Sequence, residues 1–492
     1  MKYEVESLGR KIGNDALKLS IAQIITLALS LGSTMLLSRF RTLEEYGTYS
    51  QLLMVTSLLL SIVMLGIPNC LNYFMARAET HEDKRHFLSQ YYSSITVLSI
   101  LAGGILALGE PLVEHYFNNS IIRNYIFVLA LYPWASAIMG TVDYLLVFYK
   151  KTVLLTKYKI GNGMALLGII LLTQIFHLSF YSYMVLFLLV QTIFACIVYL
   201  MVKDICGGIR LVWDKSLLKK MLHFSVPLGL SAIIGTINIE LDKLLIGRFY
   251  TTEEMAVYTN AAKEMPVTII ASAITTVLLP MLVIYIKDKK YKQAVAAWSQ
   301  ATIISYAFIC FFSFALVVFA PEVITVLYSE KYLSGTSVFR IYSILILLRC
   351  THFGMVLNAL GETKSIMKFS LLSIVFNVVL NILFYYTIGF NGPAVATLVA
   401  TVLLATTQLI TTSRKMQVPF MNIFPWKELG KVTMLNLILA VGFYSTKSLE
   451  IVKQGLENDI VSAIILGIIW LLLYVFIIQK YIRMQWSLLN AH

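Results

Sequence analysis

The sequence predicts an all-α integral membrane protein of about fourteen transmembrane helices, each long enough to cross ~30 Å of hydrocarbon. Three observations carry that expectation. Of 492 residues, 58% are apolar and only 13% are charged, against roughly 25% charged in an average soluble domain. Mean hydropathy is +0.78; a soluble fold could not bury that much apolar surface, whereas lipid solvates apolar side chains directly. Apolar runs of about 18 or more residues follow one another almost without pause, and the basic residues alternate from loop to loop as the positive-inside rule requires.

The first fifteen residues, MKYEVESLGRKIGND, are polar. They lack the apolar core and cleavage site of a signal peptide, so residues 1–16 are expected to form a cytoplasmic arm and the first span an uncleaved membrane signal. Spans one to six are expected at about 17–38, 49–75, 88–109, 124–148, 160–178 and 180–202, an N-terminal bundle over 17–202. A cytoplasmic linker, 203–221, leads to spans seven to twelve at about 222–247, 257–286, 295–319, 337–360, 368–388 and 393–412. These form a C-terminal bundle over 222–412. A cytoplasmic loop, 413–431, precedes spans thirteen and fourteen at about 432–446 and 460–480, together 432–480, and residues 481–492 form a cytoplasmic tail. The clean stretch of span thirteen, VTMLNLILAVGFYST, is short for a bilayer.

The net charge is +13, from 39 Lys+Arg and 26 Asp+Glu. On a soluble chain that excess suggests nucleic acid. Here it is distributed as the positive-inside rule distributes it, and no nucleic-acid partner is expected. With the N-terminus in the cytoplasm, the opposite loops hold only Arg39, Arg41, Arg123, Arg248, Lys331, Lys447 and Lys453, and Lys243, Lys263, Arg340 and Arg349 lie within spans. The remaining basic residues fall on the cytoplasmic side. The topology read from this pattern is N-in and C-in with an even number of spans, in the cell membrane. The cysteines, Cys70, Cys196, Cys206, Cys310 and Cys350, form no CxxC and read as reduced apolar residues, with no metal site.

An internal repeat accompanies the spans. Residues 39–51 read RFRTLEEYGTYSQ and residues 248–260 read RFYTTEEMAVYTN. Without a gap, they share Arg39/Arg248, Phe40/Phe249, Thr42/Thr251, Glu44/Glu253, Glu45/Glu254 and Tyr49/Tyr258. Both segments follow an outward span, and a proline comes later in each half, Pro68 and Pro280. Copies separated by an even number of spans keep one orientation, which is the parallel-repeat arrangement of transporters with a substrate path between halves.

On these segments the chain resembles a family. They are LSRFRTLEEYGTY at 37–49; FSVPLGLSAIIGTINIELDKLLIGRFYTTEEMAVYTNAAKE at 224–264, with LLP ending at Pro280; LNALGETK at 357–364, leading to Asn377 and Asn381; and GFNGPAVATLVAT at 389–401. Their order and spacing resemble the polysaccharide transport branch of the MOP flippase superfamily, the Wzx-type lipid-linked oligosaccharide flippases. The resemblance implies two six-helix bundles in a V-shaped, MATE-like arrangement plus two C-terminal helices that form a groove for a lipid tail. It implies alternating access and a cargo of polyprenyl-diphosphate-linked sugar moved from the cytoplasmic to the outer leaflet for cell-surface polysaccharide biosynthesis. Membrane lipids, a polysaccharide polymerase and glycosyltransferases are its expected partners.

The chemistry of that task selects the candidate residues. A lipid tail moves freely in the bilayer, but an unpaired charge in hydrocarbon costs several kcal/mol, so a sugar-diphosphate head needs a wet cavity with cations. Arg349 is the expected cavity residue, with His352 three positions on; on a continuous helix Arg340 would face another side. For both arginines the alternative is snorkelling or an ion pair. Lys243 and Lys263, each with an acidic neighbour in Asp242 and Glu264, either line the cavity or are structural, with Asp242 pairing Lys263 across the two spans. Asp143, with Asp242 and Glu264, is a candidate for H⁺ or Na⁺ coupling; Asp143 is equally readable as paired or hydrated. Arg39 and Arg248 either contact the head group or anchor the interface beside Tyr46, Tyr49 and Tyr250. Asn238, Asn377 and Asn381 read as inter-helix hydrogen-bonding residues.

There is no P-loop, HExxH, GxSxG or DxD signature. The chain is therefore expected to be no enzyme, to need no cofactor, and to be driven by an ion gradient or by substrate supply. Two other functions compete: a MATE-type ion-coupled multidrug antiporter, and a polytopic polysaccharide polymerase, which would need a long extracytoplasmic catalytic loop.

Overall fold

The computed structural model describes residues 23–448 and 459–490. The expected arm 1–16, the start of span one, Lys453 and the last two residues lie outside them. Among the described residues every regular element is helical. Eleven runs are long and apolar enough to cross a bilayer, or twelve counting one bent pair, and one of them, the 53 residues Lys364–Met416, contains two helices. The chain is a multi-pass α-helical membrane protein.

Residues 1–256 and 257–492 form two compact units. The first contains α1 (Gln23–Phe40), then α2 (Leu43–Val63), α3 (Cys70–Arg77), α4 (His81–Leu108), α5 (Glu110–Phe117), α6 (Ile122–Ile126), α7 (Tyr132–Gly140), α8 (Val142–Phe148), α9 (Thr152–Ile175), α10 (Phe180–Cys206) and α11 (Lys215–Phe249). Its core gathers Tyr91, Tyr92 and Ile95 of α4, Leu145 and Leu146 of α8 and Val198 of α10. The long α11 packs on α2 and on the 3-10 turn Ile67–Asn69. There two backbones meet without side chains between them: a Cβ on Gly229 would lie 2.5 Å from the Leu65 carbonyl carbon, and one on Gly66 2.5 Å from the Ser225 oxygen. Gly66 also has φ +74°, a conformation that a Cβ disfavours. Small residues permit such helix contacts in lipid.

The second unit begins within α12 (Thr252–Ala261) and continues through α13 (Ile269–Lys287), α14 (Tyr291–Val318), α15 (Ala320–Leu327), α16 (Thr336–Leu345), α17 (Met355–Ala359), α18 (Thr363–Ile388), α19 (Gly392–Met416), α20 (Phe420–Ile423), α21 (Trp426–Ser448) and α22 (Asp459–Asn490). Its axis is α14, which packs against α13, α16, α21 and α22. The Tyr474 hydroxyl donates to the Ala307 carbonyl at 2.7 Å, and buried Trp470 stacks on Phe443 at 5.1 Å. These contacts fasten the expected spans thirteen and fourteen to this unit.

The repeated letters are a pair of capping boxes. The Glu45 N–H donates to Thr42 Oγ1 and the Thr42 N–H to Glu45 Oε2, both at 3.1 Å. The Glu254 N–H donates to Thr251 Oγ1 at 3.2 Å and the Thr251 N–H to Glu254 Oε2 at 2.9 Å. Each box satisfies two otherwise orphaned donors at a helix start. Within the first unit, a Cβ on Gly47 would fall 2.2 Å from the Thr252 carbonyl oxygen. The correspondence extends beyond the matching letters, since α4 and α14 both have 28 residues and are followed by α5 and α15, both of 8. The prolines are not equivalent: Pro68 opens a 3-10 turn, while Pro280 sits inside α13.

Expected span two, 49–75, is not one helix, since α2 ends at Val63 and α3 starts at Cys70 after left-handed Leu65 and Gly66, and expected spans eight and ten are also broken. Span eight bends by 49° between its two helical parts. Pro266 pushes Met265 into extended backbone (ψ 144°), because the proline ring disfavours a helical conformation in the residue before it. Span ten is not one helix over 337–360: α16 tightens into a 3-10 turn, Ile346–Arg349, and the chain stays irregular to Gly354 before α17.

Candidate functional site

The breaks in spans eight and ten bring Arg349 and Glu264 together. Because Pro266 ends the helix early, Glu264 leaves it in the irregular stretch 263–265. Arg349, on the 3-10 turn, donates through Nε to Glu264 Oε1 and Oε2 at 3.2 and 3.3 Å and through Nη2 to Oε1 at 2.7 Å. The Arg349 and Glu264 side chains are 44% and 32% exposed, so this is a hydrated pair worth about 0–1 kcal/mol.

Arg349 borders a cavity of about 510 Å³ within the second unit. Arg349, Thr351 and His352 line it from the broken span, Thr268, Ser272 and Thr275 from the α13 side, and Thr401 and Gln408 from α19. Thr351 is fixed by the Trp298 indole, which donates to its hydroxyl at 2.9 Å. A guanidinium, an imidazole, an amide and several hydroxyls facing one hollow can bind an anionic, hydroxyl-rich group. Glu264 belongs to this site through its bond to Arg349. Arg349 and His352, expected on one face of a continuous helix, both line the cavity from the broken segment of span ten.

The other candidate cations engage protein groups elsewhere. Arg340 Nε donates to the Val317 carbonyl at 3.2 Å. Arg248 donates to the carbonyls of His115 and Tyr116, both at 3.0 Å, and lies over the Tyr116 ring. Both cations therefore meet carbonyls in the last turn of a helix, where positive charge is favoured. Lys243 pairs with Glu240 at 2.9 Å, and buried Asp242 accepts the Lys243 N–H at 2.9 Å. Lys263 is half-buried in the same irregular stretch as Glu264, and Arg39 is exposed at the end of α1. Asp143 pairs with Lys159 at 2.6 Å, and Lys159 lines a second polar hollow of about 300 Å³ in the first unit, with Ser30, Ser33, Thr34 and Asn162. Asn381 donates to Asn377 Oδ1 at 2.9 Å within α18, and Asn238 is half-buried on α11.

The sequence does not single out Glu240, Lys159 or Gln408. Glu240 lies three residues before Lys243 on one helix, a spacing that pairs charges. Gln408 is a polar residue inside an apolar span. Nothing in the sequence joins Lys159 to Asp143.

Two polar hollows within bundles of long apolar helices define a polytopic membrane transport fold. Solved structures carry the same fold: the lipid II flippase MurJ in an inward closed conformation matches with a TM-score of 0.71 at 16% identity, over 94% of this chain and 99% of that one. An inward-facing multidrug resistance MATE transporter of the MOP superfamily matches with a TM-score of 0.63 at 16% identity, over 82% and 98%. The chain belongs to the polysaccharide biosynthesis protein family, whose profile matches residues 36–337. Among curated proteins it is 21% identical over 412 residues to the uncharacterized membrane protein MJ1068 of Methanocaldococcus jannaschii, covering 77% of each. It is also 21% identical over 234 residues to the probable low-salt glycan biosynthesis flippase Agl15 of Haloferax volcanii, covering 47% of this chain and 49% of that protein. With such relatives the chain is a transport protein and not an enzyme.

Proposed function

We propose that this protein flips a polyprenyl-diphosphate-linked oligosaccharide from the cytoplasmic to the outer leaflet of the cell membrane, with both termini cytoplasmic, by alternating access through a cationic cavity. The observation that carries the reading is Arg349 in its polar hollow, set beside His352, Gln408 and a row of hydroxyls. The diphosphate would take the guanidinium, and the sugar would take the amide and hydroxyls. Glu264 neutralises Arg349 when no cargo is bound, and its release by the diphosphate offers a carboxylate for H⁺ or Na⁺ coupling. Membership of the polysaccharide biosynthesis family and the likeness to a glycan biosynthesis flippase support the cargo class. Glycosyltransferases would supply that cargo and a polymerase would consume it.

The test is charge reversal. Arg349→Glu should abolish surface polysaccharide in a host that depends on this protein, with its membrane level unchanged; undiminished export would remove Arg349 from the path. The MATE-like fold gives an antiporter of cationic drugs a second reading, but Glu264, the carboxylate at this site, is already bonded to Arg349 and is not free to hold such cargo. Drug resistance conferred on a sensitive strain, without rescue of glycan export, would favour it.

A further inference from the structure

The segment joining α10 to α11 is pinned along α4. Arg85 Nε donates to the Gly208 carbonyl at 3.0 Å. The N–H groups of Arg210 and Val212 donate to Ser89 Oγ at 3.2 Å and Ser93 Oγ at 3.3 Å, and the Asp214 N–H to Gln90 Oε1 at 2.6 Å. Arg85, Ser89 and Ser93 are spaced by four, so one face of α4 holds the strap. Leu211 is left 93% exposed.

Beside the strap lies a groove of about 610 Å³ in the first unit. Val97 and Ile100 of α4, Leu131, Trp134 and Tyr199 line its length, and Arg210 and Leu211 of the strap close one end. Polar groups on its wall are engaged within the protein: Trp134 Nε1 donates to the Tyr199 hydroxyl at 3.2 Å, that hydroxyl meets Thr96 Oγ1, and the Tyr92 hydroxyl meets Thr141 Oγ1. The wall is thus apolar along Tyr92–Ile100, about 12 Å of helix, with one charge at its end. The Arg210 side chain has no carboxylate or carbonyl partner among the described residues, although its backbone is fixed by Ser89.

We infer that this groove is a binding site for an anionic phospholipid, one acyl chain lying along α4 and its phosphate on the Arg210 guanidinium. The two ends of the groove match the two ends of such a lipid. The apolar wall accepts hydrocarbon, and a planar guanidinium takes a phosphate through paired, charge-assisted bonds. A neutral hydrocarbon would leave Arg210 unmatched, and a free anion would leave the wall unmatched. The site is independent of the Arg349 cavity and of the flipping reading.

Native mass spectrometry of the purified protein with dioleoylphosphatidylglycerol, dioleoylphosphatidylcholine or undecaprenyl phosphate tests it. Phosphatidylglycerol should be retained about tenfold more than phosphatidylcholine, the effect of one charge-assisted bond. Arg210→Gln should erase that preference, whereas Lys220→Gln should keep it. Thr192→Trp, which fills the groove, should lower retention of both phospholipids. Arg210 is exposed, and an unchanged melting temperature in Arg210→Gln shows that the fold persists. Equal retention of the two phospholipids by the unmodified protein, an undiminished preference in Arg210→Gln, displacement by inorganic phosphate, or stronger retention of undecaprenyl phosphate would each overturn the assignment.

Discussion

If Glu264 holds Arg349 in place of cargo, removing each partner should change cargo binding in opposite directions. Three donor–acceptor contacts of 2.7–3.3 Å join them, yet at 44% and 32% exposure the pair contributes about 0–1 kcal/mol. Neither Arg349→Gln nor Glu264→Gln should therefore unfold the protein. A hydrogen bond from a charged group to the diphosphate is worth about 1.5–3 kcal/mol, so Arg349→Gln should weaken cargo binding about 10- to 150-fold. Glu264→Gln removes a competitor worth at most ~1 kcal/mol and should tighten binding by up to about fivefold. The assay is equilibrium binding of radiolabelled undecaprenyl-diphosphate sugar to protein in nanodiscs, with melting temperatures measured in parallel. If Glu264→Gln weakens binding as much as Arg349→Gln, the carboxylate supports the cargo site and does not compete for it.

Three further outcomes follow from the fold. Gly229→Ala places a Cβ 2.5–2.7 Å from the backbone of Leu65 and Gly66, which cannot swing aside, and should cost about 1–3 kcal/mol; Gly235→Ala, on the same helix with nothing within 4 Å, should be neutral or stabilising in the same melting assay. Thr42→Ala and Thr251→Ala each remove a capping box and should each cost about 1 kcal/mol, while the Ser substitutions hold stability in denaturant titrations. The Asp214 carboxyl accepts the Leu217 N–H, the His86 ring and the Ser216 N–H, which hold it below the usual carboxylate range. Its stabilisation is present above the unfolded value of about 3.9 and is lost as pH falls through the folded one, so the stability of Asp214→Ala should fall less between pH 7 and pH 3 than that of the unmodified protein.

The sequence displays what depends on local pattern. Apolar runs locate the spans, and Thr-x-x-Glu repeated at 42–45 and 251–254 marks two matching helix starts. Arg349 stands out as a cation far from either end of its expected span. What stays hidden depends on tertiary partners or on backbone breaks. Arg248 reads as a head-group or interface residue until the carbonyls of His115 and Tyr116, over 130 residues earlier, appear beside it. Arg340 likewise meets Val317 only through folding. The break in span ten has no proline to announce it; Gly354 is the nearest local signal. The break at Pro266 was legible from the proline, but the apolar run on both sides outweighs it in any reading by hydropathy.

Translocation across one bilayer is the direct measurement. Proteoliposomes carrying a fluorescent polyprenyl-diphosphate oligosaccharide in both leaflets are treated with a membrane-impermeant quencher. With the unmodified protein the label of both leaflets should become accessible, and with Arg349→Glu only that of the outer leaflet. An inner-leaflet label that stays protected as in protein-free vesicles, or one that Arg349→Glu releases as fast as the unmodified protein does, would contradict the account.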